Sequence, residues 1–310
     1  QDDFEKIPGS PIAYWVSDKI RTTFQKSLLK DKGKSRSGLQ TGDNDLFLKQ
    51  WHEVSFKKIA FNLKTKEESI KKNLKWIPQI KGGAYRKWYG NFDFVVNWEN
   101  DGKLIKECFS HRLNSMTTEE LYFKDGLTWS HTTSGGFAIR YLPKGFLFNV
   151  EAPTYFVEEK SKELYLLGYL NTKITTLNFS LINQTLHYLA GDVLKLPIIF
   201  SNSEEINLKI DQITQQNIDI SKEEWDSRET SWDFTKNELL KHLVPKGTLC
   251  EKSDSKIETA YNNYCQVWSE KFYKLHANEE ELNRLFIDIY ELGDELTPDV
   301  ALKDITILKS

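Results

Sequence analysis

The spacing of apolar residues changes near residue 200, and this change constrains the fold more than any other feature of the sequence. Before it, short alternating segments such as 92–98 and 137–141 predict β-strands, and leucines three or four residues apart predict one long helix over 163–182. After it, apolar stripes with helical spacing dominate. We therefore predict an α+β fold, in which a mixed β-rich domain with a long scaffold helix precedes a mainly α-helical domain.

This change divides the 310 residues into three predicted parts. Residues 1–25 are predicted to be a lead-in, 26–200 the β-rich domain and 201–310 the helical domain. A chain longer than roughly 250 residues usually has more than one core, which favours such a division. Because the first residue is Gln rather than Met, we expect the chain to be a piece of a longer protein.

The formal charge of −3 hides an uneven distribution along the chain. Residues 1–200 carry a net charge of +7, and residues 201–310 carry −10. Between Lys19 and Gly90 alone, 18 basic and 6 acidic residues give +12. A local excess of this size predicts a surface that binds anions.

The sequence lacks the signals of several classes of protein. The three cysteines lie far apart, so we expect reduced thiols in a cytoplasmic protein rather than a disulfide framework or a zinc site. No run approaches 18 apolar residues, so we expect no contact with a membrane. Walker A, GxGxxG, HExxH and GxSxG motifs are missing, and the six histidines lack metal-ligand spacing. We therefore expect neither a metal nor a catalytic residue in this chain.

The remaining chemical signal is a basic, aromatic-rich stretch at residues 81–90. Glycines let the backbone approach a phosphate, Lys and Arg neutralise its charge, and Arg can also read base edges. Nucleic-acid binding is therefore one interpretation. The other is a solvated basic surface in which Trp88 and Tyr89 anchor the core, and composition leaves both open.

Six segments, taken in order, resemble the large adenine-specific DNA methyltransferases of bacteriophage exclusion (BREX, or phage growth limitation) systems, specifically their C-terminal half. These segments are 7–15, 38–44, 81–91, 97–102, 231–234 and 278–284. Residues 166–173 and 192–197 are also similar to target-recognition domains of type I restriction specificity subunits. There, as the resemblance implies, the helix is scaffold and nearby loops enter the major groove of DNA.

The resemblance implies that residues 26–200 recognise a sequence in double-stranded DNA, as the specificity region of a methyltransferase in a restriction-modification-like phage defence. Methyl transfer in that family needs a glycine motif that binds S-adenosylmethionine and an Asn-Pro-Pro-Tyr motif that holds the flipped adenine. Neither motif occurs here. We therefore expect S-adenosylmethionine to serve the parent enzyme, bound by an N-terminal methyltransferase domain, and we expect no cofactor in this fragment.

The predicted DNA contacts fall into three groups. Phosphate contacts are expected from lysines of the basic stretch, base contacts from two arginines, and further polar contacts from three loops whose assignment follows the resemblance. The lysines are Lys49, Lys57, Lys58, Lys81 and Lys87, the arginines are Arg86 and Arg112, and the loop residues are Gln40, Thr41, Asn44, Ser134, Gln184, Thr185 and His187.

A second hypothesis concerns the acidic part of the chain. Residues 201–310 carry the net charge of −10 and several helical apolar stripes. Such a part is expected to dock the methyltransferase domain or other subunits of the defence system. The chain would then be a protein-interaction module.

Overall fold

The computed structural model describes residues 7–8, 16–109, 118–183, 185–243 and 257–308. It confirms the predicted α+β fold. The strands are β1 (Gly33–Arg36), β2 (Leu48–Gln50), β3 (Trp76–Ile80), β4 (Phe94–Asn97), β5 (Gly126–Trp129), β6 (Ile139–Leu142), β7 (Leu147–Phe148) and β8 (Thr154–Val157). The helices are α1 (Asp18–Thr23), α2 (Asn44–Phe47), α3 (Lys66–Lys72), α4 (Glu99–Phe109), α5 (Glu163–Leu170), α6 (Lys173–Ile182), α7 (Ala190–Val193), α8 (Glu204–Asp226) and α9 (Ile257–Ile289).

The strands form two four-stranded sheets. The first has the order β1-β8-β5-β6 and is antiparallel throughout. The second has the order β2-β4-β3-β7, in which only the pairing of β3 with β7 is parallel. At the centre of the first sheet, Leu127 of β5 lies opposite Tyr141 of β6 on one side and Tyr155 of β8 on the other.

The long helix predicted over 163–182 is divided into α5 and α6. Asn171 lies at the division, where its side chain bonds both the backbone N–H and the carbonyl of Ile139 in β6. Thr172 is extended, and its hydroxyl donates to the carbonyl of Tyr169. Asn283 of α9 then accepts a hydrogen bond from the first N–H of α6, that of Lys173, at 2.9 Å. Side-chain bonds to distant parts of the chain therefore end one helix and start the next.

The buried core is continuous across residue 200. Helix α5 packs against α8 and α9, and the ring of Tyr169 stacks on that of Tyr290 at 5.7 Å between centroids. One cluster of buried apolar side chains extends from Ile7 to Ile307. The division into a β-rich and a helical domain stays a prediction, and the two parts share this core.

Candidate nucleic-acid interface

Loops from both sheets meet in one band, which we call the loop edge and define as residues 38–44, 81–84, 130–136, 149–152 and 185–188. The backbone N–H of Leu39 bonds the carbonyl of Phe148 at 2.8 Å, and that of His131 bonds Glu151 at 2.9 Å. The hydroxyl of Ser130 donates to the carbonyl of Gly83 at 3.0 Å. These bonds connect the loops that follow β1, β3, β5 and β7 into one surface.

The first predicted loop, 40–44, has a fixed turn conformation. The carboxylate of Asp43 accepts from the N–H of Leu46 at 3.0 Å and caps α2, and the hydroxyl of Thr41 donates to the side chain of Asn44 at 2.6 Å. Glycine is required at position 38, because a Cβ there would lie 2.0 Å from the carbonyl oxygen of Phe148. Asn44 is exposed, whereas Thr41 is buried. The loop borders a shallow cleft of about 270 Å³ whose wall includes Gln40.

The other two predicted loops are paired with each other. Thr132 and His187 form an antiparallel bridge, and the Thr132 hydroxyl lies 2.9 Å from Nδ1 of His187. The side chain of Asn183 accepts from the N–H and the hydroxyl of Thr185 and donates to the carbonyl of His187. Ser134, Thr185 and His187 are all exposed on this pair of loops.

Two of the predicted lysines lie at the loop edge, Lys81 within it and Lys49 beside it. Lys81 follows β3, and its ammonium group lies 5.1 Å from the ring centre of Phe94. Lys49 donates to the carbonyl of Asp45, which directly follows the loop 40–44.

Lys57 and Lys58 are exposed, but they lie elsewhere in the fold. The neighbouring Ile59 bridges Trp76 at the start of β3, whereas Lys81 follows the end of that strand. The structure therefore does not bring these two lysines to the loop edge.

Arg86 and Lys87 are buried, with 5% and 8% of their surface exposed. The guanidinium of Arg86 pairs with Glu224 of α8, and the ammonium of Lys87 lies 2.6 Å from the carboxylate of Glu279 on α9. We call these two pairs the ion-pair clamp. Both cations are held by carboxylates inside the protein, so we correct their assignments as base reader and phosphate contact: they connect the β-rich part to α8 and α9.

Burial and the partner carboxylates act in opposite directions on the two cations of the ion-pair clamp. Burial lowers the pKa of Arg86, against the attraction of Glu224. Burial also acts to lower the pKa of Lys87, but the attraction of Glu279 outweighs it and the pKa is raised. Nearby, Arg140 is 1% exposed, and burial together with the charge of Arg86 lowers its pKa to about 9.

Trp88 completes this connection. Its backbone adopts φ +69°, a conformation that residues other than glycine rarely take. Its N–H bonds the carbonyl of Ile139, its own carbonyl accepts from Tyr141, and its indole N–H donates to Glu279 at 2.8 Å. The second interpretation of residues 81–90, in which Trp88 and Tyr89 anchor the core, accounts for Trp88, which is 1% exposed, and for Tyr89, which is 6% exposed.

Behind the loop edge lies a cleft of about 720 Å³. Its wall includes aromatic rings and three amide side chains, those of Asn171, Asn183 and Asn283. Each of these amides is hydrogen-bonded within the protein at both its oxygen and its nitrogen. The amides therefore hold the fold together rather than face a ligand.

Two of the predicted contacts, Arg112 and Gln184, lie outside the described residues. Among the residues that the structure describes, no group of three or more His, Cys, Asp or Glu side chains is arranged to hold a metal ion. In the same part of the chain, no helix combines the length and apolar character that crossing a membrane requires.

The segment 149–152, which joins the first loop to the others, was not among the predicted loops. The side chain of Asn149 accepts from the N–H groups of Glu151 and Ala152, which folds this segment into a tight turn. An Asn that follows an apolar strand and precedes a proline by four residues is a turn signal that could have indicated it.

Comparisons with known proteins agree with the resemblance. No family model matches the chain. Curated relatives include the adenine-specific methyltransferase PglX of Lacticaseibacillus casei (strain Zhang), which is 37% identical over 100% of this chain and 25% of its own length. They also include the adenine-specific methyltransferase BrxX of Escherichia coli O9:H4 (strain HS), 35% identical over 97% of this chain and 23% of its own length. The chain thus spans about a quarter of the length of these relatives, where the resemblance suggested half. It belongs to the family of the adenine-specific methyltransferases PglX and BrxX.

Proposed function

We propose that this chain is the target-recognition region of an adenine-specific DNA methyltransferase of bacterial phage defence. The loop edge binds duplex DNA and reads its sequence. A methyltransferase domain elsewhere in the parent protein binds S-adenosylmethionine and transfers the methyl group. The observation that carries this proposal is the hydrogen-bonded band of loops, in a chain that belongs to a family of adenine-specific methyltransferases.

The side chains of the loop edge suit base readout. Asn44, Ser134 and His187 are exposed there, and together they offer hydrogen-bond donors and acceptors. Thr185 is exposed as well, but its hydroxyl donates to Asn183 and accepts from the N–H of His187. Such groups distinguish base pairs in the major groove, where each pair presents its own pattern of donors and acceptors. Because bonds within the protein fix the loop backbones, the loops lose little conformational freedom on binding.

The lysines at the loop edge suit phosphate contacts. Lys49 and Lys81 lie next to the polar loop residues, and we expect them to contact the backbone phosphates of a duplex bound there. Without the buried Arg86 and Lys87, the stretch between Lys19 and Gly90 still has a net charge of +10. Long-range attraction of DNA therefore does not depend on the ion-pair clamp.

Binding of the intact parent enzyme to DNA across 50–200 mM salt tests the phosphate contacts. The double variant Lys49→Ala/Lys81→Ala should flatten the plot of log K against log[salt] by about 0.9 per lysine removed. The control Lys57→Ala/Lys58→Ala removes two exposed lysines away from the loop edge and should leave the slope as in the wild type. Equal slopes for both variants, or no DNA binding by the wild type, would contradict the proposal.

Sequencing of methylated adenines in cells that carry the parent enzyme tests base readout. Asn44→Ala and Ser134→Ala should each relax the target site at one position, because each removes an exposed polar group from the loop edge. An unchanged target site in both variants would exclude these residues as base readers.

A second function, docking of a protein partner, is favoured by one observation. Ile257 and Tyr261, one turn apart at the start of α9, are 75% and 53% exposed in the acidic part of the chain. Association with the methyltransferase domain or with other subunits of the defence system should fall in the variant Ile257→Ser/Tyr261→Ser, while DNA affinity is retained. This substitution is a better test than deletion of residues 201–310, which would expose the shared core.

A further inference from the structure

Leu186 is an apolar side chain on a polar part of the loop edge. It is 59% exposed and lies between Thr185 and His187, which are exposed polar residues. Exposed leucines are common and mean little by themselves. The way this leucine is held is what distinguishes it.

The backbone on both sides of Leu186 is fixed. Its carbonyl accepts from the N–H of Thr133 at 3.1 Å, and the N–H of Tyr188 bonds the carbonyl of His131 at 2.7 Å. The side chain of Asn183 bonds Thr185 on one side of the leucine and the carbonyl of His187 on the other. A rigid frame therefore holds an exposed apolar group out beside Thr133, at the surface proposed to meet DNA.

We propose that Leu186 is a wedge that inserts between two base pairs of the bound duplex. The inference rests on the proposed function. An apolar wedge partially unstacks a base step and kinks the helix, which is how apolar side chains act in several DNA-bending proteins. An enzyme that modifies a base must take that base out of the stack, and unstacking beside the target adenine lowers the cost of doing so. A wedge needs an apolar side chain, which is favoured between base pairs over water, and a rigid backbone, which keeps that side chain in place against the stacked bases. Leu186 and its fixed loop provide both.

The test uses the intact parent enzyme and a duplex with 2-aminopurine beside the target adenine, in the site defined by methylation sequencing. On binding, the wild type should raise 2-aminopurine fluorescence several-fold, because unstacking removes quenching. Leu186→Ala should lose most of this rise while its affinity falls less than tenfold. Leu208→Ala replaces a leucine that is 54% exposed on α8, away from the loop edge, and should behave as the wild type.

A mismatched substrate separates a wedge from a purely structural role. A mismatch at the target adenine lowers the free energy needed to take that base out of the stack. The methylation rate of Leu186→Ala should therefore recover toward that of the wild type on this duplex. A loop damaged by the substitution would stay defective on both duplexes. Full fluorescence enhancement in Leu186→Ala, or no recovery on the mismatch, overturns the wedge and leaves DNA recognition intact. A wild type that binds no DNA overturns the proposed function and the wedge together.

Discussion

Glu279 on α9 accepts hydrogen bonds from two consecutive residues, the ammonium of Lys87 and the indole N–H of Trp88. Its side chain is almost fully buried, and so is that of Lys87. A buried pair of this kind adds little net stability over an apolar pair, but loss of one partner is costly because the other charge stays buried. The sequence predicted that Arg86 and Lys87 contact DNA. It could not show that they are paired inside the protein, because their acidic partners lie 138 and 192 residues further along the chain.

Glu279→Gln should therefore destabilise the protein strongly. The amide keeps an acceptor for Trp88 but leaves the ammonium of Lys87 without a counter-charge, at a cost of about 3–5 kcal/mol in the free energy of unfolding. Urea denaturation followed by tryptophan fluorescence measures the change. Glu107→Gln removes one partner of an exposed pair with Lys103 and is the control, with no appreciable effect expected. A loss below 1 kcal/mol for Glu279→Gln would show that the pair is not buried in solution.

Tyr169 should make stability sensitive to alkaline pH. Its phenol is fully buried and donates to the carbonyl of Pro197, and burial raises its pKa from 10.0 to about 12. Below pH 10 the phenol is neutral in the folded and unfolded states. Between pH 10 and about 12 it ionises only when the chain unfolds, so stability falls as pH rises, by up to about 1.4 kcal/mol per pH unit.

Tyr169→Phe tests this pH dependence. The variant should be about 1 kcal/mol less stable than the wild type at pH 7, because it lacks the hydrogen bond to Pro197. Its deficit should shrink between pH 10 and 11, where only the wild type carries this phenol. Denaturation midpoints measured from pH 7 to 11 follow the difference, and a constant deficit would contradict the assignment.

At the scale of elements, local patterns predict what local interactions determine. The alternating segment 92–98 contains β4, and the segment 137–141 overlaps β6. The sequence Asn-Asp-Gly at 100–102, which is typical of a turn, forms three consecutive residues with positive φ. The sequence Ser-Lys-Glu-Glu at 221–224 has the pattern of a capping box and predicts a helix start there, which is wrong, because these residues lie inside α8 and its cap is Ser203. The end of α5 was not predictable, since Asn171 and Thr172 break the helix only through bonds to β6 and within the folded turn.

Asn283→Ala should weaken the start of α6. The amide accepts from the N–H of Lys173 and donates to the carbonyl of Pro298, so its removal leaves a helix N-terminus and a turn each without a partner. We expect a loss of about 1–3 kcal/mol in the free energy of unfolding. Asn263→Ala, on the exposed face of the same helix, should change stability by less than about 0.5 kcal/mol. Hydrogen exchange should show faster opening of α6 in the first variant only, and equal exchange in both would contradict the capping role.

At the scale of the whole molecule, the helical part completes the core of the β-rich part. Helix α5 has seven buried residues out of eight, among them Tyr165 and Tyr169, whose rings contact Phe286 of α9. The ion-pair clamp joins the same two parts. The sequence showed two parts of opposite charge, residues 1–200 and 201–310. It could not show that helices of the second part cover α5, because apolar periodicity does not specify which element packs on a helix.

A chain that ends at residue 200 should therefore fail to fold cooperatively. It would expose the face of α5 that packs on α8 and α9, and it would leave Arg86 and Lys87 without their carboxylates. We expect weak near-UV circular dichroism and a broad urea transition for residues 16–200, against a sharp transition for the whole chain. A sharp transition in the shorter chain would contradict this expectation.

The way the loops are fixed determines how a new target site could be introduced. Three segments of the loop edge are each held by a side chain close in sequence, Asp43, Asn149 or Asn183. The segment 130–136 is held by its pairing with 185–188, and the surrounding β-rich part depends on Glu224 and Glu279. Loops of related enzymes can therefore be exchanged with their own supporting residue, provided that 130–136 and 185–188 are exchanged together. Exchange of the whole region 26–200 would separate two buried cations from their partners. Transplanted specificity should follow the loops, and a chimaera joined at residue 200 should fold only when the part after the junction supplies a carboxylate to both Arg86 and Lys87.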